Sequence, residues 1–159
     1  MRDIVDRILE ELRSELPGLD VTGLDIMTRL GLLAKRYRSL LRSAVQSLHL
    51  DVWEFEVLAA LLRQGTPYQL HPSRLARLVV LTTGAITNRI DRLEARGLVR
   101  REPDPRDRRA VRVCLTADGL ELAEQAMHLR SEVTTAAVRS LSEEERKVLA
   151  HLLRKLMLD

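Results

Sequence analysis

The sequence predicts a mainly α fold: a winged helix-turn-helix head with long N- and C-terminal dimerisation helices. Three observations carry this. Leu, Ala, Glu and Arg dominate a 159-residue chain that is 45% hydrophobic and only 3% aromatic, a composition that favours helices. Apolar residues recur at helical spacing along most of its length. That pattern is interrupted once, from Leu98 to Leu115, by two partly alternating stretches around the basic loop Glu102 to Ala110.

The elements follow in order. Ile4, Val5, Ile8, Leu9, Leu12 and Leu16 mark an amphipathic helix that Pro17 and Gly18 end. A longer helix is expected from near Thr22 to about Ser47. Its seam is Ile26, Leu30, Leu33, Tyr37, Leu40, Ala44 and Leu48, close to coiled-coil spacing. A helix of that length spans about 39 Å, more than a small head requires, so part of its apolar surface is expected to meet a second chain. A helix over about 51–63 is expected to turn Trp53, Val57, Leu58, Leu61 and Leu62 inward, and Gly65 and Pro67 follow it. A short helix over 72–79 places Pro72 in its first turn, where the missing N–H costs nothing. The next helix starts at Thr82 or Thr83, runs to Arg96 and stops at Gly97. Leu98–Arg101 and Ala110–Leu115 read as paired strands. Thr116 caps a helix to about Ser140, and Ser142-x-x-Glu145 is a capping box for the last one. Residues 1–50 and 116–159 are expected to form a helical dimerisation region, and 51–115 a winged helix-turn-helix region of the kind that binds DNA.

Charge is uneven. Residues 71–115 hold eleven arginines against five carboxylates, a net +6, while the remainder has fifteen basic and eighteen acidic residues, a net −3. Concentrated positive charge is the footprint of a phosphate-binding surface. On a helical wheel Ile86, Ile90 and Leu93 share the core side of the 82–96 helix. Gly84, Asn88, Asp91, Arg92 and Ala95 lie opposite, with Ala85 and Thr87 flanking them. A small start and a polar continuation suit insertion into a major groove roughly 12 Å wide. Asn88 can pair with an adenine edge, and Arg92 with guanine or phosphate. Ser73, Thr82, Thr83 and Thr87 can bond phosphates. Arg106, Arg108 and Arg109 suit a narrow minor groove, and Asp104 and Asp107 can hold some of these arginines in place. Asp91 can orient a neighbouring arginine.

The run from Arg74 to Gly119 resembles the core of the multiple-antibiotic-resistance regulator (MarR) family. Leu93-Glu94, Gly97-Leu98-Val99, Asp104-x-Arg106-Asp107-x-Arg109 and Leu115-Thr116-x-x-Gly119 fall in family order and spacing, and the resemblance covers about residues 22–158. It implies an obligate homodimer on double-stranded DNA carrying a pseudo-palindromic operator, acting as a repressor that a small-molecule effector releases. It also implies that an Asp107–Arg109 pairing braces the wing and that a wing arginine enters the minor groove. Family ligands occupy a cleft between dimer helices and head. Arg36, Tyr37, His49, Trp53, Phe55 and Glu56 are the corresponding candidates here, and their chemistry fits a phenolic or carboxylate effector. Residues 1–20 exceed the usual family start. An extra N-terminal helix occurs in urate-responsive members, but this one lacks their tryptophan. No cysteine marks the start of the long helix, which argues against the peroxide-sensing branch.

Other classes fit less well. Glycine-rich phosphate loops, Gly-x-Ser-x-Gly and His-Glu-x-x-His are absent, so no enzyme is expected. The only cysteine, Cys114, reads as core. It excludes an internal disulfide and suits a reducing cytoplasm. His49, His71, His128 and His151 lack close ligand spacing, so neither metal nor cofactor is expected. No apolar run approaches ~20 residues, and the N-terminus has no signal-peptide core, so no membrane is expected. Two alternatives keep the fold: a winged-helix protein-interaction module and an architectural DNA binder without sequence preference.

Overall fold

A computed structural model describes residues 2–107 and 109–158. The order is α1 (Ile4–Glu15), α2 (Thr22–Gln46), α3 (Val52–Leu62), β1 (Gln69–Leu70), α4 (Pro72–Leu78), α5 (Thr83–Ala95), β2 (Val99–Pro103), β3 (Val111–Leu115), α6 (Ala117–Ala137) and α7 (Glu143–Leu158). The chain forms two compact units, Met1–Leu40 and Leu41–Asp159. This is the mainly α, winged helix-turn-helix architecture that the periodicity predicts.

In the first unit, Asp3 caps α1 by accepting the Val5 N–H at 2.7 Å, and Asp6 returns the bond to the Asp3 N–H at 2.7 Å. Val5, Leu9 and Val21 form its buried cluster. Arg29 of α2 ties both helices together, meeting Asp3 at 2.9 Å and Asp6 at 2.7 Å as well as Asp25 one turn earlier.

In the second unit, Phe55, Leu58, Leu61, Leu75, Ile86, Ile90, Leu93, Val99 and Val113 are fully buried. Leu62 and Trp53 are not in that core, contrary to the inward-facing expectation; both are half-buried. Trp53 sits in the first turn of α3, where the guanidinium groups of Arg89 and Arg92 lie over its ring.

The sheet has three antiparallel strands in the order β1-β3-β2, not two. The extra strand pairs Gln69 with Cys114 and Leu70 with Val113. Two residues are too few to show a period. β2 also runs on to Pro103, opposite Val111. It is an edge strand, where a proline removes no ladder bond.

The Gly97-Leu98 corner joins α5, β2 and α6. Gly97 takes φ +69°, and the Leu98 N–H donates to Leu93 O at 3.0 Å, closing α5 as a glycine C-terminal motif. Thr116 Oγ1 donates to Gly97 O at 2.7 Å and accepts the Gly119 N–H at 3.0 Å, so one hydroxyl both caps α6 and ties it to the corner. The Thr116 N–H donates to Leu98 O at 3.2 Å. Ser142 and Glu145 form the expected reciprocal cap of α7, at 2.7 and 3.2 Å. No described residue of α7 is buried.

Candidate nucleic-acid interface

Thr82 starts α5, its Oγ1 accepting the Ala85 N–H at 3.3 Å. Ile86, Ile90 and Leu93 anchor the inner face at 0–1% exposure. Gly84, Thr87, Asn88, Asp91, Arg92 and Ala95 are exposed, and Ala85 is half-buried. Nothing lies within 4 Å of a side chain built at Gly84, so the helix start is open to close approach. Ser73 is exposed in the first turn of α4. The side chain of Thr83 and all of Arg108 lie outside the described residues.

The acids of α5 turn toward β2. Arg101 pairs with Asp91 and Glu94, and its backbone N–H donates to Glu94 Oε1 at 2.9 Å. Asp91 thereby orients an arginine, Arg101. At the C-terminal end, Arg96 reaches the buried carboxylate of Glu54 at 2.7 Å and His49 O at 3.0 Å. Glu54 Oε2 also accepts the Asp51 N–H at 2.8 Å. The start of α3 and the end of α5 therefore share one charge-assisted cluster.

The wing is built on Asp104, which is 4% exposed. Its carboxylate accepts Arg112 Nε at 2.6 Å and the Arg106 N–H at 2.7 Å, and His71 Nε2 lies 3.0 Å from it. The Arg112 bond, then the Arg106 amide, pull its pKa down to about 2 against the cost of burial. The described brace thus differs from the Asp107–Arg109 expectation. Asp107 accepts the backbone N–H of Arg109 at 2.9 Å and shapes the turn, whereas Asp104 ties the wing to the N-cap of α4. The sequence hides this because the partners come from three separate segments. Arg106 and Arg109 are exposed, and among the described residues neither guanidinium has a carboxylate partner.

Trp53 joins this region to α3. Its ring centroid lies 4.8 Å from the Arg92 guanidinium carbon and 5.2 Å from that of Arg89, within cation–π reach. Arg89 was not among the sequence candidates. Its spacing of three from Arg92 is the signal that could have found it.

The four ligand candidates of the second unit border three described cavities. Phe55 and Glu56 line a cavity of about 240 Å³ with Arg63, Leu78, Val80 and Arg130. His49 borders a second of about 410 Å³ beside Arg92 and Arg96. Trp53 and Glu56 border a third of about 520 Å³ with Arg42 and Gln46. Arg36 and Tyr37 stand on α2 in the first unit, exposed and half-buried respectively. Cys114 is buried, as its strand position suggests. Burial, with Glu102 Oε2 3.4 Å away, pushes its thiol up to about 11 and keeps it protonated.

Known proteins share this architecture. A family model described as MarR family matches residues 50–110. The HTH-type transcriptional regulator PecS of Dickeya dadantii is 32% identical over 149 residues, covering 94% of this chain and 90% of PecS. A mutant MarR from E. coli, solved in complex with operator DNA, superposes with a TM-score of 0.69 at 26% identity, covering 91% of this chain and 96% of that one. BpsR of Bordetella bronchiseptica, whose structure addresses regulation of DNA binding by 6-hydroxynicotinic acid, superposes at 0.69 with 28% identity, over 83% and 98% of the two chains.

Proposed function

The chain belongs to the MarR family of DNA-binding transcription regulators, and from that footing we propose that it is a homodimeric repressor of a pseudo-palindromic operator, released by a small aromatic carboxylate. The observation that carries the DNA reading is the pairing of an exposed polar face on α5 with a wing on which Arg106 and Arg109 are exposed while Asp104 is occupied by Arg112. In this reading Asn88 and Arg92 read bases. Ser73, Thr82, Thr83 and Thr87 hold phosphates, Gly84 and Ala85 allow close approach, and Arg106, Arg108 and Arg109 serve the minor groove.

Residues 1–50 and 116–159 supply the dimer and 51–115 the DNA-binding head. Support comes from apolar surface left uncovered on the long helices: Ile26 at 49%, Leu33 at 59%, Leu152 at 50% and Leu156 at 54% exposure. Two heads on one face of DNA need half-sites about 34–36 Å apart, so a modest change in head orientation is enough to lose one of them.

The effector reading narrows to the 240 Å³ cavity, small for a ligand site. Arg63 in its wall offers a cation for a carboxylate, beside the Phe55 ring, over which the Arg130 guanidinium already lies at 5.8 Å. In its wall Leu78 ends α4 and Val80 lies in the turn that delivers the chain into α5. A ligand that prefers a displaced turn shifts the population away from the DNA-competent geometry. BpsR, with its 6-hydroxynicotinic acid, is the comparison that suggests this chemistry.

Selection of duplexes from a randomised pool by the pure protein tests the reading, repeated with 6-hydroxynicotinic acid as a probe. An enriched inverted repeat is expected, with affinity falling steeply as salt rises. A flat salt response favours the protein-interaction alternative, and a steep response without enrichment favours the architectural one. Enrichment unchanged by aromatic carboxylates removes the effector part alone.

A further inference from the structure

Trp53 is the only tryptophan in the chain, yet it contributes little to the core. The structure gives it a different set of neighbours. Its indole Nε1–H donates to Asp51 Oδ2 at 3.1 Å, which fixes the ring against the cap of α3. The cap is itself held, since the Asp51 N–H bonds Glu54, and Glu54 pairs with Arg96 at the end of α5. Over this fixed ring lie two guanidinium groups from α5, those of Arg89 and Arg92. Among the described residues neither has a carboxylate partner, whereas the neighbouring Arg96 and Arg101 both do.

That contrast has a chemical meaning. A carboxylate orders an arginine by neutralising it. An aromatic face orders it through the ring quadrupole and leaves the full charge and the N–H edges available. Two like charges three residues apart on one helix repel by a few tenths of a kcal/mol, and a ring that favours cations offsets that repulsion. An arginine held this way has already lost part of the side-chain freedom that binding would otherwise take from it.

We infer that Trp53 is a positioning residue for operator readout, an aromatic rest that sets Arg89 and Arg92 for DNA without cancelling their charge. This rests on the DNA reading above and deepens it. In this reading Trp53 reaches DNA through the two arginines, the half-buried Arg89 and the exposed Arg92.

The test compares Trp53→Phe with Trp53→Leu in the full-length protein. Both keep an apolar side chain, but only Phe keeps a ring face. The probes are the duplex selected by the wild type and a scramble of equal composition. Trp53→Leu should weaken the selected duplex roughly 5- to 10-fold, the scale of two exposed cation–π contacts, and the scramble less than about 2-fold. Trp53→Phe should stay within about 3-fold of wild type on both. Adding Trp53→Leu to an Arg89→Ala, Arg92→Ala background should cost little more. In the free protein, Arg89→Ala or Arg92→Ala should change the emission of the single tryptophan. Equal behaviour of the Phe and Leu variants, an equal loss on both duplexes, or unchanged emission overturns the inference while a discriminating wild type keeps the DNA reading intact. A wild type that does not discriminate overturns both.

Discussion

Gly119 stands against Leu98 so closely that a β-carbon at 119 would overlap the Leu98 carbonyl oxygen and lie 2.8 Å from its carbonyl carbon. The obstacle is backbone, fixed by the bond from Thr116 to Leu98 O, and cannot swing aside. Gly119→Ala must therefore lift the start of α6 from the corner between α5 and β2. We expect a loss of about 3 kcal/mol, a fall of roughly 6–12 °C in the unfolding midpoint for a domain of this size. Circular dichroism melts check it; a midpoint within a degree of wild type would show that α6 is not seated as described.

Val80 is the reverse case, a residue whose replacement should help. It sits at φ +54° with its side chain 89% exposed. A β-branched residue pays for that left-handed conformation and gains almost no burial there. Val80→Gly removes the conformational cost at the expense of unfolded-state entropy. The net expectation is a gain of about 0.5–1 kcal/mol, read as a higher urea midpoint at unchanged slope. A lower midpoint would mean that Val80 makes contacts worth more than its strain.

Asp104 predicts an acid limit for the wing. Its folded pKa of about 2 lies below the ordinary 3.8, chiefly through Arg112 and the Arg106 amide. A depressed carboxylate contributes fully above its unfolded value, and the contribution is lost as pH falls through the folded one. The wild-type advantage over Asp104→Asn should therefore be constant above about pH 5 and shrink between about pH 4 and pH 2. Unfolding midpoints measured across that range check it. A gap that persists unchanged at pH 2 would show that the charge on Asp104 is not what holds Arg112 and His71.

The wing and the recognition helix should fail in different ways. Arg106→Ala and Arg109→Ala remove exposed cations, so each should weaken all duplexes alike and reduce the salt slope by about 1. Asn88→Ala should leave the slope unchanged and cost about 1–3 kcal/mol of discrimination at one base position. Anisotropy titrations at several salt concentrations separate the two. A uniform loss on Asn88→Ala would take base reading away from that residue.

These predictions draw unequally on what the sequence displays. The helices were legible because ten or more residues repeat one period, and the Thr-x-x-Gly spacing showed through because both residues act within one turn. The Asp104 cluster was not legible. Its three partners come from the start of α4, the wing loop and β3, and only folding brings them together. Trp53 was misleading for a related reason. One aromatic at a helix start carries no periodic information, so core, ligand wall and arginine rest look alike until α5 is in place. The strand at Gln69–Leu70 is too short to have a pattern at all.

The proposed dimer makes the last prediction. Val148, Leu149, Leu152 and Leu156 recur at helical spacing on α7 and are 41–58% exposed, although each half-exposed leucine leaves roughly 1 kcal/mol of hydrophobic stabilisation unused. A charged final helix would have avoided that cost; an apolar one is explained if a second copy covers it. Leu152→Glu with Leu156→Glu should therefore separate the chains, weakening self-association by at least about 100-fold. The head should survive, because neither residue belongs to the buried set around Ile86 and Val113. Sedimentation should report a folded monomer, and affinity for the full inverted repeat should fall toward that of a single half-site. A variant that stays dimeric would place the subunit contact elsewhere, and one that unfolds would show that α7 packs on its own chain in solution.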